Sequence, residues 1–306
     1  MDKSVAIVIL NWNQPDLSIE TISSFLKINA NKFTYHIYLV DNASTDNSFK
    51  KFEKTYKDNH KITLLKTKSN LGYTGGNNLG IKKALLKKYD YILIANNDIV
   101  VSVDFLEKLL ETGQKNPRAI LFPKIYFAPG YEYHQDRYQK NELGKVIWAL
   151  GGKIDWDNVY ASNIAIDEVD RGQYDQADFK IDFISGCCLL VPSDAFKKIG
   201  LFDSKYFLYL EDVDFSERAK RLGYKLHLVS DSVIWHLNSA SSSPNSQLQN
   251  YFITRNRLLF GYRYAPFKTK FALFRESIKF LFSNDYWRKV AVKDYYLGHF
   301  GKGSWQ

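Results

Sequence analysis

Short apolar runs alternate with amphipathic segments along the first hundred residues. The apolar runs predict strands at 5–10, 35–40, 62–65 and 91–95. Between them, apolar side chains recur on one helical face, which predicts helices at 16–29, 47–57 and 75–88. Strands that alternate with helices in this way are typical of parallel strands joined by crossover helices. The pattern therefore indicates an α/β fold with a nucleotide-binding type of sheet.

The second half of the chain is less regular. Between residues 124 and 180 the periodicity weakens, which indicates an irregular insertion or a small antiparallel region. An apolar run at 183–191 follows, then helices predicted at 193–199 and 212–222 and strands at 224–229 and 233–236. The Ser-, Asn- and Pro-rich stretch 237–247 has the composition of a loop. We therefore divide the chain into a main domain, 1–247, with halves 1–100 and 101–247, and a helical extension, 248–306.

Charge and aromatic residues are concentrated in this extension. The chain carries a formal net charge of +9, of which residues 251–306 hold +8, together with 16 of the 48 aromatic side chains. An apolar stripe runs through Phe267, Phe271, Phe274, Ile278 and Leu281. The stripe can pack on the main domain with Lys268, Lys270, Arg275 and Lys279 in solvent, or it can lie on an anionic membrane.

Cysteine usage and the N-terminus bear on the compartment. Cys187 and Cys188 are adjacent within an apolar run, where a disulfide framework is implausible, so we expect buried, reduced thiols. The N-terminus shows no signal-peptide pattern, and no stretch approaches the length of a transmembrane helix. These features favour a cytoplasmic protein.

Polar clusters follow three predicted strands. They are Asn11 to Asn13, Asp41 to Ser44, and Asn96 to Asp98. In a parallel α/β sheet, ligands bind beyond the carboxyl ends of the strands. A lone acid there is equally explained as a helix cap, but three clusters at successive strand ends favour a binding site. Asp41 suits a base N–H or a ribose hydroxyl, and Asp98 suits a divalent metal.

Two further motifs carry candidate chemistry. The segment 69–80 holds four glycines where a helix begins, so its backbone can approach a phosphate, although a flexible loop capped by Asn77 or Asn78 explains it equally well. Glu211, Asp212 and Asp214 stand at a helix start, where the helix dipole favours carboxylates. A carboxylate in that position can also serve as a general base. His236 ends a strand and can add a metal ligand, although such a residue is more often packed.

Taken in order, these segments resemble one family. The motifs VAIVILNWN, VDNASTDNS, NLGYTGGNNLGI, ILIANND, SGCCLLVPSDAFKKIGLFD, FLYLEDVDFSERAKRLGYKL, VIWH and RNR strongly resemble glycosyltransferase family 2, in particular its bacterial rhamnosyltransferase-like branch. The match spans residues 4–262. It implies a GT-A nucleotide-diphospho-sugar transferase fold: a mostly parallel, Rossmann-like sheet flanked by helices, here with a C-terminal helical extension. It also implies Mg²⁺ or Mn²⁺ and inversion at the anomeric carbon.

The resemblance assigns the donor and metal sites residue by residue. Asn11 and Asp41 would contact the nucleoside, and the base and ribose would lie along Asn70, Gly72 and Asn77. Asn96 and Asp98 occupy the family's DxD motif, with Asp98 and His236 as metal ligands. Asn96 departs from the motif's first Asp, so this motif offers the metal a single carboxylate.

The same resemblance assigns the catalytic residues and the partners. Asp212 would be the catalytic base, Glu211 would shape the acceptor site, and Arg255 and Asn256 would contact phosphate or acceptor. The expected partners are a UDP- or dTDP-sugar donor, dTDP-rhamnose among them, and a lipid-linked glycan acceptor in cell-surface polysaccharide assembly. An anionic membrane at the inner face of the cell is expected as well.

Two other functions compete with this one. The sequence pI of about 9.2 and the aromatic basic tail also suit a nucleic-acid-binding protein, although no recognisable module is present. A sugar nucleotidyltransferase shares the sheet type, but it normally begins with a glycine-rich basic loop, which the segment 10–13 is not.

Overall fold

The computed structural model describes residues 3–175, 180–237 and 246–305. Each strand and helix predicted for the first hundred residues is confirmed, with ends shifted by a few residues. The strands are β1 (Lys3–Asn11), β2 (Phe33–Asp41), β3 (Ile62–Lys66) and β4 (Tyr91–Ala95). The helices are α1 (Pro15–Phe25), α2 (Ser48–Tyr56) and α3 (Gly72–Leu86).

The second half contains shorter elements. Its strands are β5 (Ile99–Val101), β6 (Ala119–Phe127), β7 (Ile147–Ala149), β8 (Gly152–Asp155), β9 (Tyr160–Asn163), β10 (Cys188–Pro192) and β11 (Lys225–His236). Its helices are α4 (Phe105–Lys115), α5 (Ser193–Ile199) and α6 (Glu211–Arg221). Strands β8 and β9 form an antiparallel pair within the region 124–180, which agrees with the antiparallel alternative. The two strands predicted at 224–229 and 233–236 are one strand, β11, with a register shift against β6.

Nine of the described strands form one mixed sheet. Its order is β3-β2-β1-β4-β10-β6-β11-β5, and β7 pairs with β6. The first four strands are parallel, as the alternating pattern predicts. Strand β10 runs antiparallel to both of its neighbours, β4 and β6, so the parallel half continues into a mixed half.

The core lies on both faces of this sheet. Along β1, Val5, Ile7 and Ile9 face one cluster of buried side chains, and Ala6 and Val8 face the other. Strands buried on both faces read as unbroken apolar runs, which is why the strand positions are legible in the sequence. Cys187 and Cys188 are buried and free, as expected.

Three helices follow the sheet: α7 (Gln247–Tyr264), α8 (Phe267–Leu281) and α9 (Tyr286–Leu297). Helix α7 packs against α8 and α9 and buries Tyr251, Phe252 and Phe260. No helix within the described ranges is long and apolar enough to cross a membrane. The predicted loop 237–247 falls mostly on residues 238–245, which lie outside the described residues.

Candidate active site

The polar residues at the ends of β1, β2 and β4 are joined by hydrogen bonds. Asn11 pairs with Asp41 in the sheet register, and its Nδ2 donates to Asp41 Oδ1 at 3.1 Å. Ser18, from α1, donates to Asn11 Oδ1 at 2.8 Å and accepts from Asn97 Nδ2 at 3.0 Å. The parallel register therefore brings the three predicted clusters together.

Asp41 is almost fully buried, and each of its carboxylate oxygens has a partner. Oδ1 accepts from Asn11, and Oδ2 accepts from the Ser44 N–H at 3.2 Å. Because each carboxylate oxygen has two acceptor positions, Asp41 keeps the capacity for a further donor. Asn42 beside it donates to Asn70 Oδ1 at 3.0 Å and to the Gly72 carbonyl at 3.1 Å, which connects the end of β2 to the glycine-rich loop.

The glycine-rich segment, residues 69–80, contacts the loop that precedes α6. Gly72 opens α3 with a φ of +69°, and a Cβ added to it would lie 2.3 Å from the Phe207 carbonyl oxygen. A side chain at this position would therefore meet both backbone strain and a backbone atom. Thr74 N–H donates to the same carbonyl at 3.3 Å.

Asn77 and Asn96 occupy different surroundings. Asn77 is fully buried on α3, where its Nδ2 donates to the Tyr73 carbonyl at 2.9 Å and its Oδ1 has no hydrogen-bond partner within the described residues. Asn96 is half-buried just beyond β4, and its N–H donates to the Cys187 carbonyl at 2.9 Å. Asn96 thus lies just beyond the carboxyl end of β4, and Asn77 lies within α3.

Asp98 and His236 are brought together by the pairing of β5 with β11. His236 aligns with Ile99 in that antiparallel register, and the Leu237 N–H donates to the Asp98 carbonyl at 2.8 Å. As a result His236 Nε2 lies 3.2 Å from Asp98 Oδ1, with both side chains largely buried. The ring of Trp148 lies 4.5 Å from the imidazole, centroid to centroid.

This pair fits a divalent cation that shares its coordination with a ligand. Neither ring nitrogen of His236 has a hydrogen-bond partner in the described part of the chain, although both are buried. A buried imidazole facing a carboxylate, with no hydrogen bond of its own, suits metal binding. Groups of three or more His, Cys, Asp or Glu suited to a metal are absent from the described residues, so phosphate oxygens and water would complete the coordination.

Asp212 is held at the start of α6 by two backbone donors. Gly186 N–H donates to its Oδ2 at 2.8 Å, and Val213 N–H donates to its Oδ1 at 2.8 Å. The Gly186 carbonyl accepts from the Tyr73 hydroxyl at 2.5 Å. Tyr73 belongs to the glycine-rich segment, so one residue, Gly186, connects that segment to the Asp212 carboxylate.

Glu211 and Asp212 differ in their hydrogen bonding. Burial raises the pKa of Asp212, while its backbone hydrogen bonds oppose the rise. Burial and the neighbouring Asp212 charge raise the pKa of Glu211 well above its usual range, and its Oε2 has no partner among the described residues. Burial thus favours the protonated form of Glu211, whereas the backbone donors at Asp212 favour its charged form, a division expected of an acid beside a base.

The loop before α6 is strained and is braced by α7. Phe207, Tyr209 and Leu210 have φ between +66° and +69°, a region that costs non-glycine residues free energy. Asn256 Nδ2 donates to the carbonyls of Tyr206, Leu208 and Tyr209 at 2.8 to 2.9 Å.

Arg255 completes this brace, and its contact with phosphate or acceptor stays a prediction. Its Nη2 donates to the Lys205 and Tyr206 carbonyls at 3.2 and 3.0 Å. Arg255 and Asn256 are both fully buried. Because their donors are used within the fold, on loop carbonyls, on Asn256 Oδ1 and on the Tyr251 hydroxyl, the geometry favours a positioning role.

Sequence reasoning missed three residues of this region. Tyr73, Ser18 and Trp148 each make a contact described above, and none was singled out as a candidate. Tyr73 lies inside the recognised glycine-rich motif, so a signal for it was present. The contacts of Ser18 and Trp148 depend on helix and strand packing, for which the sequence holds no local signal.

Comparisons with known proteins agree with the geometry. The family model described as glycosyl transferase family 2 matches residues 6–200. An N-acetylglucosaminyl-diphospho-decaprenol L-rhamnosyltransferase of Mycobacterium tuberculosis is 28% identical over 229 residues, 69% of this chain and 70% of that protein. The rhamnosyltransferase WbbL of Escherichia coli is 26% identical over 169 residues, 51% of this chain and 58% of that protein.

Solved structures support the fold. GalNAc-T7, crystallised with UDP, GalNAc and Mn²⁺, superposes with a TM-score of 0.60 at 17% identity, over 90% of this chain and 55% of that one. The 1–349 fragment of S. aureus TarS with UDP-GlcNAc gives a TM-score of 0.53 at 15% identity, over 92% and 73% of the two chains. At these identities the likeness concerns the fold, which is the GT-A fold that the resemblance implied. Because the family model matches more than half of the chain, the chain belongs to glycosyltransferase family 2 and is a glycosyltransferase.

Proposed function

We propose that this protein is an inverting, metal-dependent transferase that moves a sugar from a dTDP- or UDP-sugar to a hydroxyl of a lipid-linked glycan. The observation that carries the proposal is the placement of Asp212. Two backbone N–H groups hold its carboxylate, and Gly186 and Tyr73 connect it to the glycine-rich segment. A base held beside the donor segment suits a direct displacement on the donor sugar.

The donor would lie along the carboxyl edge of the parallel strands. Asp41 has acceptor capacity for a base N–H or a ribose hydroxyl, and Asn11 holds its carboxylate in place. Asn70 and Gly72 bring the loop backbone to the same edge, and Asn77 supports the loop from below. Asn96 would stand near the diphosphate. We assign the donor contacts to these six residues.

Asp98 and His236 would hold Mg²⁺ or Mn²⁺. Such an ion neutralises the charge that develops on a leaving nucleoside diphosphate. His236 presents unbonded ring nitrogens and Asp98 supplies the carboxylate, so the protein offers two ligands and leaves the remaining positions to the substrate. This arrangement compensates for Asn96 in the first position of the motif.

In the reaction, Asp212 takes the proton of the acceptor hydroxyl. The hydroxyl oxygen forms a bond to the anomeric carbon as the bond from that carbon to the diphosphate oxygen breaks, which inverts the configuration in one step. Glu211, protonated next to Asp212, offers the acceptor a hydrogen-bond donor. The named activity of the mycobacterial relative, on a diphospho-decaprenol carrier, supports a lipid-linked acceptor and a rhamnose donor.

This chemistry would take place at the cytoplasmic face of the cell membrane, in polysaccharide assembly. The two free, buried cysteines suit a reducing compartment, and a lipid-linked acceptor resides in the membrane. We also propose the division into a catalytic domain, 1–247, and a helical extension, 248–306. Through the hydrogen bonds of Arg255 and Asn256, the extension would hold the loop before α6 in position.

A donor panel tests the proposal. We expect a dTDP- or UDP-sugar, above all dTDP-rhamnose, to raise the melting temperature with Mg²⁺ or Mn²⁺ and to raise it less with EDTA. Asp98→Ala should remove the metal-dependent part of that rise, whereas Asp104→Ala, a surface acid paired with Lys108, should not. If no nucleotide sugar in the panel binds, or if metal has no effect on the wild type, the proposal is refuted.

A further inference from the structure

Helix α8 turns its apolar stripe away from the protein. The residues that α8 buries are Thr269, Leu273 and Ser277, two of which are small and polar. Four of its large apolar side chains face outward, and so does Phe282 just beyond it, whereas Leu273 is buried and Phe280 and Leu281 are partly buried. The exposed fractions are Phe267 84%, Phe271 57%, Phe274 45%, Ile278 41% and Phe282 85%. A contiguous apolar surface of this kind marks an interaction site. These five residues are called the α8 face below.

The α8 face continues into a groove between α8 and α9. The groove has a volume of about 500 Å³ and is lined mainly by apolar side chains, among them Phe274, Ile278, Leu281, Val292 and Leu297. Lys293 lies at its edge. The apolar surface therefore spans two helices, with room for a chain-like apolar group between them.

Basic side chains flank the α8 face. At about 100° per residue, Lys268, Arg275 and Lys279 follow the face along one side of the helix, and all three are exposed. Lys270 lies on the opposite flank. An apolar face bordered by lysine and arginine is the form of a helix that lies in the plane of a membrane interface.

The carboxylates of the same region have partners inside the fold. Glu276 pairs with Arg257 at 2.7 Å, Asp285 caps α9, and Asp294 is buried. The flank of the α8 face therefore carries a net positive charge, with Asp157 and Glu276 lying beside Arg275 and Lys279. A second copy of the chain, docked by a two-fold axis on this face, would bring equal basic rows together, which disfavours a dimer there.

We infer that the α8 face docks the enzyme on an anionic lipid bilayer. The apolar side chains enter the headgroup and acyl boundary, and the basic row meets lipid phosphates. The inference rests on the proposed function in one respect: docking brings the enzyme to the surface that holds its lipid-linked acceptor. The surface itself is derived from the exposure and charge of α8.

Vesicle flotation tests the inference on the full chain. Wild-type protein should float with vesicles of phosphatidylcholine and phosphatidylglycerol, and much less with phosphatidylcholine alone or at high salt. The double variant Phe267→Ser, Phe271→Ser should lose at least tenfold in partitioning. The control Leu86→Ser, which changes an exposed leucine at the end of α3, should partition like the wild type. Lys268→Gln with Lys279→Gln should weaken binding to anionic vesicles only.

Other results overturn the inference. If the double variant partitions like the wild type, the α8 face is not the docking surface. If the wild type ignores anionic vesicles and sediments as a dimer that the double variant breaks, the face is an interface between copies. Transfer to a lipid-free acceptor separates the two proposals. A wild type that transfers sugar but does not bind anionic vesicles defeats docking alone, and a wild type that binds vesicles but has no donor activity defeats the proposed function alone.

Discussion

Replacing Gly72 by alanine tests whether the glycine-rich segment and the loop before α6 depend on each other for their positions. The added Cβ would lie 2.3 Å from the Phe207 carbonyl oxygen, whereas carbon and oxygen rarely approach closer than about 3.3 Å. One of the two segments must move by about 1 Å. Phe207 lies in the strained loop that precedes Asp212, so the displacement reaches the base or the donor.

The expected magnitude has two parts. Holding alanine at a φ of +69° costs about 1–2 kcal/mol of stability. A displacement of about 1 Å costs roughly 10²-fold in kcat/KM, which corresponds to about 2.7 kcal/mol of transition-state stabilisation. We expect both effects in Gly72→Ala.

The control is Gly130→Ala. Gly130 has a φ of +86°, and nothing lies within 4 Å of its added Cβ, so it carries the backbone cost without the clash. Steady-state transfer with the donor identified in the panel, together with melting temperatures, gives both quantities. Gly130→Ala should lose stability and keep its kcat/KM. A folded Gly72→Ala enzyme with kcat/KM within twofold of the wild type would refute the coupling.

Three further substitutions address the base and its support. Asp212→Asn should lower turnover by roughly 10²–10⁴-fold while donor binding persists, and turnover like the wild type's would remove Asp212 as the base. Glu211 has a raised pKa in the folded state, so the stability it contributes is present below about pH 4 and is lost as pH rises through that raised pKa. Glu211→Gln should therefore raise the melting temperature at neutral pH, by an amount that shrinks toward about pH 4; a gain independent of pH would contradict the assignment of a protonated Glu211. Asn256→Ala removes three hydrogen bonds to loop carbonyls and two accepted from Arg255, worth about 1 kcal/mol each, and should lower kcat more than it changes donor affinity; an equal loss in both would indicate a general structural role.

The parallel half of the fold is legible in the sequence because its strands are buried on both faces. The proximity of Asp98 and His236 is not legible, since it depends on the antiparallel register of β5 with β11. Asp98 follows the recognisable strand β4, but β5 has only three residues and gives no periodic signal. The resemblance supplied both residues, and the structure supplied the distance between their side chains.

The apolar stripe of α8 shows a different limit of prediction from the sequence. A helix that faces lipid and one that faces a protein core have the same apolar period, so the sequence left both possibilities open. The structure shows that most of this stripe is exposed, because Leu273, flanked by Thr269 and Ser277, takes the inward side of α8. The sequence also could not distinguish whether Arg255 and Asn256 hold a loop or contact a ligand, because both roles use the same side-chain donors.

The brace between α7 and the loop before α6 has a consequence for biosynthesis. A growing chain emerges from the ribosome N-terminus first, and its earlier segments begin to fold first. The donor edge is drawn from roughly the first hundred residues, but the loop that sets Asp212 is secured only once Asn256 has been made. Transfer competence is thus acquired later than nucleotide binding, and a premature stop before α7 would yield a protein that binds the nucleotide sugar but does not transfer the sugar.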